Sequence, residues 1–93
     1  MNKGELVDAI AAKANVTKKE ADAILSAMVD TIVEVVAEGN KVTLIGFGSF
    51  EPRQRQAREG RNPKTGEKMQ IAATRIPAFA PGKLFKEKVS PSD

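Results

Sequence analysis

At 93 residues the chain is one small domain with a modest core, and 41% hydrophobic and 29% charged residues are ordinary for a soluble globular protein. Cys and His are both absent, which excludes disulfides and thiolate zinc sites, suits a reducing cytoplasm, and removes the commonest general base and transition-metal ligand. No apolar run approaches the ~20 residues of a membrane span, and no signal-peptide pattern opens the chain.

The net charge of +3 is unevenly placed: residues 1–40 carry four Lys against seven acids, residues 41–93 eleven Lys/Arg against five. The basic second half points to a polyanionic partner. On charge alone, a solvated basic face accounts for it equally well.

Asn2, with Glu5 three residues on, predicts a helix start. Leu6, Ala9, Ile10, Lys13 and Ala14 follow at helical spacing. Thr17-Lys18-Lys19-Glu20 is a second capping box, so a break is expected at Asn15-Val16. A second helix is expected from about Lys18 to Glu38, stopped by Gly39. Its apolar set (Ala21, Ile24, Leu25, Ala27, Met28, Val29, Ile32, Val33, Val35, Val36) is wider than the ~100° stripe of a surface helix. A second subunit is the economical way to cover it.

Lys41–Ile45 reads as a strand, and Gly46-Phe47-Gly48-Ser49-Phe50 as a bulge or close backbone approach with inward phenylalanines. From Glu51 to Arg75 the chain carries Arg53, Arg55, Arg58, Arg61, Lys64, Lys68 and Arg75 against three acids, and its larger apolar residues are only Met69 and Ile71. Asn62-Pro63-Lys64-Thr65-Gly66 at its middle is a turn signal. Two polar arms around one turn read as a β-hairpin with no face to bury. Disorder when free is the competing reading. Ile76–Ala80 returns to the core, Pro81-Gly82 opens a short helix over Lys83–Val89, and a Ser/Pro tail follows.

Catalysis has little to stand on. Glu5/Asp8 and Glu34/Glu38 are solvated helix-face pairs, and Gly46-x-Gly48 lacks the further glycine and helix of a dinucleotide site. No enzyme activity and no cofactor are expected. The hairpin is more informative, since ~12 residues at ~3.3 Å each span roughly 40 Å, beyond any need of folding. A two-stranded ribbon fits a DNA groove, and its arginines can reach phosphates and base edges. Arg53, Arg55 and Arg61 share one strand parity and Arg58 the other, so either both ribbon faces are basic or a bulge intervenes. All four Phe lie outside the arm and Tyr and Trp are absent, which favours duplex over a single strand stacked on aromatics. Pro63 is either a turn former or an apolar wedge that enters between base steps.

Gly46-Phe47, Phe50, Arg55, Arg58, Gly60, Asn62-Pro63 and Thr65, at this spacing, resemble the signature of the bacterial HU/integration host factor family. Met1-Asn2-Lys3, Gly60–Glu67, Pro77-Ala78-Phe79 and Gly82-Lys83 agree with it. The likeness covers essentially the whole chain and is nearest to HU of cyanobacterial type. It implies an α+β fold: two N-terminal helices, a short C-terminal helix, and a three-stranded antiparallel sheet extended into a long β-ribbon arm, intertwined as a homodimer. One domain, 1–93, would comprise a helical dimerisation part (1–40), sheet and arm (41–81, arm about 52–75) and the C-terminal helix (82–90).

The resemblance further implies that Pro63 intercalates, the HU class being itself among the stock examples of such wedges. Arg53, Arg55, Arg58, Arg61 and Lys64 would line the groove, with Asn62, Lys68 and Arg75 completing the arm set. Lys3, Lys41, Lys83 and Lys86 would bind flanking phosphates, and Phe47, Phe50 and Phe79 would form the dimer core. Double-stranded DNA, above all bent, nicked or gapped, is then the expected partner, in the cytoplasmic nucleoid. A site-selective bender like integration host factor and a structured-RNA binder are the alternatives. A protein-only interaction module is disfavoured because the arm has no apolar face. Pro52 at the arm base departs from the pattern, since it cannot donate to a ladder, and suggests an edge or bulge there.

Overall fold

The computed structural model describes residues 1–91, so the end of the Ser/Pro tail lies outside the described residues. The elements are α1 (Lys3–Ala14), α2 (Lys18–Ala37), β1 (Val42–Leu44), β2 (Gly48–Arg55), β3 (Arg58–Arg61), β4 (Lys68–Ile71), β5 (Thr74–Pro81) and α3 (Lys83–Val89). They pack as two compact units, the first covering Met1–Glu34 and the second beginning at Val35.

In the first unit the local signals act as expected. The Asn2 side chain accepts the Glu5 N–H at 2.9 Å, and α1 ends on Asn15 in the left-handed region at φ 57°. At the start of α2 the capping box is complete: Glu20 N–H donates to Thr17 Oγ1 at 3.1 Å, and Thr17 N–H to Glu20 Oε1 at 3.3 Å. Val7, Ala11 and Ala21 are buried between the helices, with Ile10, Val16 and Leu25 packed around them. Much of the remaining apolar stripe is uncovered, Ile24 being 63% and Val33 61% exposed.

The second unit opens on the end of α2, one residue earlier than Glu38. Asn40 N–H returns to Val35 O at 3.1 Å and Gly39 N–H to Val36 O at 2.9 Å, the paired bonds of a Schellman turn. β1 is shorter than Lys41–Ile45, because Phe47 N–H closes a turn onto Leu44 O at 3.0 Å. The expected bulge at Gly46–Gly48 is therefore a β-turn, and the close approach falls on Gly48. A Cβ there would lie 2.6 Å from Ala80 O and 2.7 Å from the Phe79 ring, so only glycine fits without movement.

Strand order in the main sheet is β1-β2-β5, all antiparallel, and β3-β4 form a separate two-stranded ribbon. Pro52 stands opposite Pro77 with no slip in register, so there is no bulge. Neither proline has an N–H, so this must be a pair that donates nothing across the ladder, and Glu51/Ala78 and Arg53/Ile76 carry its hydrogen bonds. The Pro52 nitrogen faces the other side, where β1 has already ended: its pairing reaches only Phe50. The edge expected at Pro52 is real, although β2 is the central strand further back.

One face of the sheet carries the aromatics. Phe50 and Phe79 oppose each other in register with ring centroids 4.9 Å apart, and Phe47 stacks on Phe85 at 5.3 Å and 12°. Phe85 of α3 thus joins Phe47, Phe50 and Phe79. Two of the four rings stay open, Phe47 at 40% and Phe79 at 36% exposure.

Candidate nucleic-acid interface

The arm continues the sheet. Arg55↔Thr74 ends the main ladder and Arg58↔Ile71 begins the distal one; Gln56, Ala57, Ala72 and Ala73 leave the pairing between them. Equal numbers drop out of each strand, so the register is unchanged.

The phase of the ladder is not. Near the body the hydrogen-bonded pairs are those of Glu51, Arg53 and Arg55, as the facing prolines require. At the tip Asn62 N–H donates to Glu67 O at 2.8 Å, so counting back by twos the hydrogen-bonded residues are Gly60 and Arg58. In an antiparallel ribbon all hydrogen-bonded pairs set their side chains on one face. Arg53, Arg55 and Arg58 therefore share a face, the one opposite the phenylalanines. Arg61 stands on the other face.

Strand parity alone grouped Arg61 with Arg53 and Arg55. The matched irregularity in the two strands exchanges it for Arg58. Both readings left open by the sequence are met in part, since Arg61 makes the second face basic as well. Arg61 pairs with Lys68 in register, and like charges directly opposite destabilise a ladder. A polyanion laid against them relieves that repulsion. On the first face the Glu51 carboxylate lies 3.8 Å from Arg53 Nε and tempers the innermost arginine.

The turn is built from its own side chains. Asn62 Oδ1 accepts the Lys64 N–H at 2.9 Å, Asn62 O accepts the Gly66 N–H at 2.7 Å, and Gly66 sits at φ 74°, where a Cβ is disfavoured. Pro63 is the first residue of this loop and is exposed, as are Lys64 and Lys68. The tip thus presents one apolar ring flanked by cations.

The remaining expected residues are spread over both units. In the first, Lys3 Nζ donates to Ser26 Oγ at 2.9 Å and lies 3.6 Å from Asp22. In the second, Lys41 is exposed ahead of β1, Lys86 is exposed on α3, and Lys83 stands 4.0 Å from Glu87 on the next turn. Arg75, expected in the arm, is at its root in β5, with Nη2 donating to Ala37 O at 2.8 Å. Sequence reasoning missed that contact, the ladder break and Phe85. Only Phe85 had a usable signal, as the fourth phenylalanine of a chain whose other three were placed in the core.

Residues 1–90 match the family model described as bacterial DNA-binding protein. The chain is similar to DNA-binding protein HU of a Nostoc species, 71% identical over 98% of this chain and 97% of that one. It is 64% identical to DNA-binding protein HU of a Synechocystis species, with the same shares covered. Among solved structures, an Anabaena HU–DNA cocrystal structure matches with a TM-score of 0.93 at 71% identity, covering 99% of this chain and 100% of that one. With a basic two-stranded arm, a proline at its tip and a phenylalanine-faced sheet, the chain belongs to the family of bacterial DNA-binding proteins, and within it to the HU group of cyanobacterial type.

Proposed function

We propose that the chain is an architectural protein of the bacterial nucleoid, and so of the cytoplasm. As a homodimer it binds, bends and compacts double-stranded DNA with little sequence preference. The observation that carries this is the arm: a ribbon with Arg53, Arg55 and Arg58 on one face and an exposed Pro63 at its end. Each arginine or lysine that neutralises a phosphate releases condensed counterions, which supplies affinity without reading sequence. In the minor groove A·T and T·A look alike, so a ribbon lodged there discriminates weakly. HU proteins are themselves among the general examples of minor-groove binders that kink DNA with apolar wedges. Partial unstacking costs a few kcal/mol per step, and the bent duplex offsets it by touching more protein.

The dimer rests on uncovered apolar surface. Among the described residues only Val7, Ala11, Ala21 and Val36 are buried hydrophobics, too small a core for an independent fold. Ile24, Met28, Val29 and Val33 on α2, and Phe47, Phe79 and Leu84 in the second unit, stand open. A second copy of the chain covers such faces. The solved relative with DNA bound to it supports duplex as the ligand here too.

Competition binding at fixed, stated salt between intact duplex, nicked duplex and structured RNA tests this reading. Nicked DNA bends at lower cost and should compete best, then intact duplex, then RNA. RNA ahead of both duplexes would move the function to the structured-RNA alternative, and a strong preference among duplex sequences to the site-selective one.

A further inference from the structure

At the end of α2 the carbonyl of Ala37 has to find a partner outside the helix. The Schellman turn uses Val35 O and Val36 O through Asn40 and Gly39. Ala37, the last helical residue, keeps a carbonyl that no later N–H in the turn reaches, and α2 has no basic residue in its last turn. Partial negative charge collects at such an end.

Arg75 takes that carbonyl from 38 residues away in sequence, Nη2 standing 2.8 Å from Ala37 O. Gly39 makes the room, since a Cβ there would meet Arg75 Nη1 at 2.9 Å. Arg75 pairs with Gln54, one position before the main ladder ends at Arg55↔Thr74. Its side chain shares the phenylalanine face of the sheet, away from Arg53, Arg55 and Arg58. A charged hydrogen bond thus joins the end of a helix to the root of the arm, on the face turned away from the groove-facing arginines.

We propose that Arg75 is a positioning residue: it pins the arm root to the end of α2, sets the direction in which the arm leaves the sheet, and is not itself a groove contact. Its effect on bending rests on the function proposed above, but its effect on the free protein does not. With the clamp in place the first unpaired residues, Gln56 and Ala73, start from a fixed base. Without it the last rungs of the sheet open more readily, and the arm meets the duplex over a wider range of directions.

The test compares Arg75→Gln, Arg75→Lys and Arg55→Gln in the full-length protein. In the absence of DNA, amide exchange at Arg55 and Thr74 should quicken about tenfold in Arg75→Gln, the change in open population that accompanies loss of one hydrogen bond to a charged group. Arg75→Lys should recover most of the protection, because an ammonium can still reach one carbonyl. With DNA, Arg75→Gln should bend an intact duplex less while leaving the salt dependence of binding unchanged. Arg55→Gln should instead lower the magnitude of the slope of log K against log salt by about 1.8 per dimer, two phosphate contacts at ~0.9 each. An equal fall in slope for Arg75→Gln would make Arg75 a phosphate contact, and unchanged exchange at Arg55 and Thr74 would remove the clamp; either overturns the proposal. Should the wild type fail to bend duplex at all, the proposed function falls, and the exchange arm still decides the role of Arg75.

Discussion

The phenylalanine face of the sheet and the distal arm are parts of one antiparallel hairpin, held in a single register from Gly48↔Pro81 to Arg61↔Lys68. Their side chains make them opposites. Near the body, Phe50 and Phe79 meet across the strands, and Phe47 and Phe85 close the cluster. At the far end the rungs are Arg58↔Ile71, Glu59↔Gln70, Gly60↔Met69 and Arg61↔Lys68, the last setting two cations face to face. A ladder of backbone hydrogen bonds is indifferent to this difference. What the side chains decide is which end is completed by more protein and which by an anion. The apolar end wants its own kind, and the basic end wants phosphate.

The apolar end is most vulnerable at Phe47. Replacing it with Asp puts a carboxylate among the rings, on a face that a second copy is proposed to cover, and burying an unpaired charge costs several kcal/mol. The variant should sediment as monomer and lose most of its cooperative melting. A stable wild-type monomer at micromolar concentration would show that the apolar end needs no partner.

The basic end is tested by subtraction. Arg55→Ala with Arg58→Ala removes four charges from a dimer, all on one ribbon face. The slope of log K against log salt should fall in magnitude by up to roughly 3–4. An unchanged slope would mean that this face does not meet phosphate. The smallest effect on folding is expected at Pro63, exposed in its turn, where Pro63→Ala should shift stability by no more than ~0.5 kcal/mol, as surface sites generally do. Thermal melting of the free protein checks it.

Much of this was legible in the sequence, for local reasons. Asn2, Thr17 and Glu20, Gly39 and the Asn62–Gly66 turn act through bonds to residues a few positions away, so their patterns carry their own geometry. The basic arm was legible because charge composition does not depend on register. What could not be read depends on contacts distant in sequence. The exchange of Arg58 for Arg61 on the ribbon face follows from a break in both strands, marked only by Gln56-Ala57 and Ala72-Ala73, which no propensity singles out. Pro52 hinted at an irregularity, yet its partner Pro77 keeps the ladder intact because two prolines can face each other only where no donor is needed. Arg75 counted as one more arm cation, and nothing local says that its guanidinium belongs to Ala37.

The role of the arm is tested most directly by the bend itself, read by end-to-end energy transfer on short labelled duplexes, nicked and intact, with wild type and Pro63→Ala. If the proline ring wedges between base steps, it stabilises a kink that otherwise costs a few kcal/mol of unstacking. Wild type should bend both duplexes, and the variant should keep most of its affinity and its bend on nicked DNA but lose the bend on intact DNA. Equal bending of intact duplex by the two proteins would contradict this, leaving Pro63 a turn former and the arm a purely electrostatic grip.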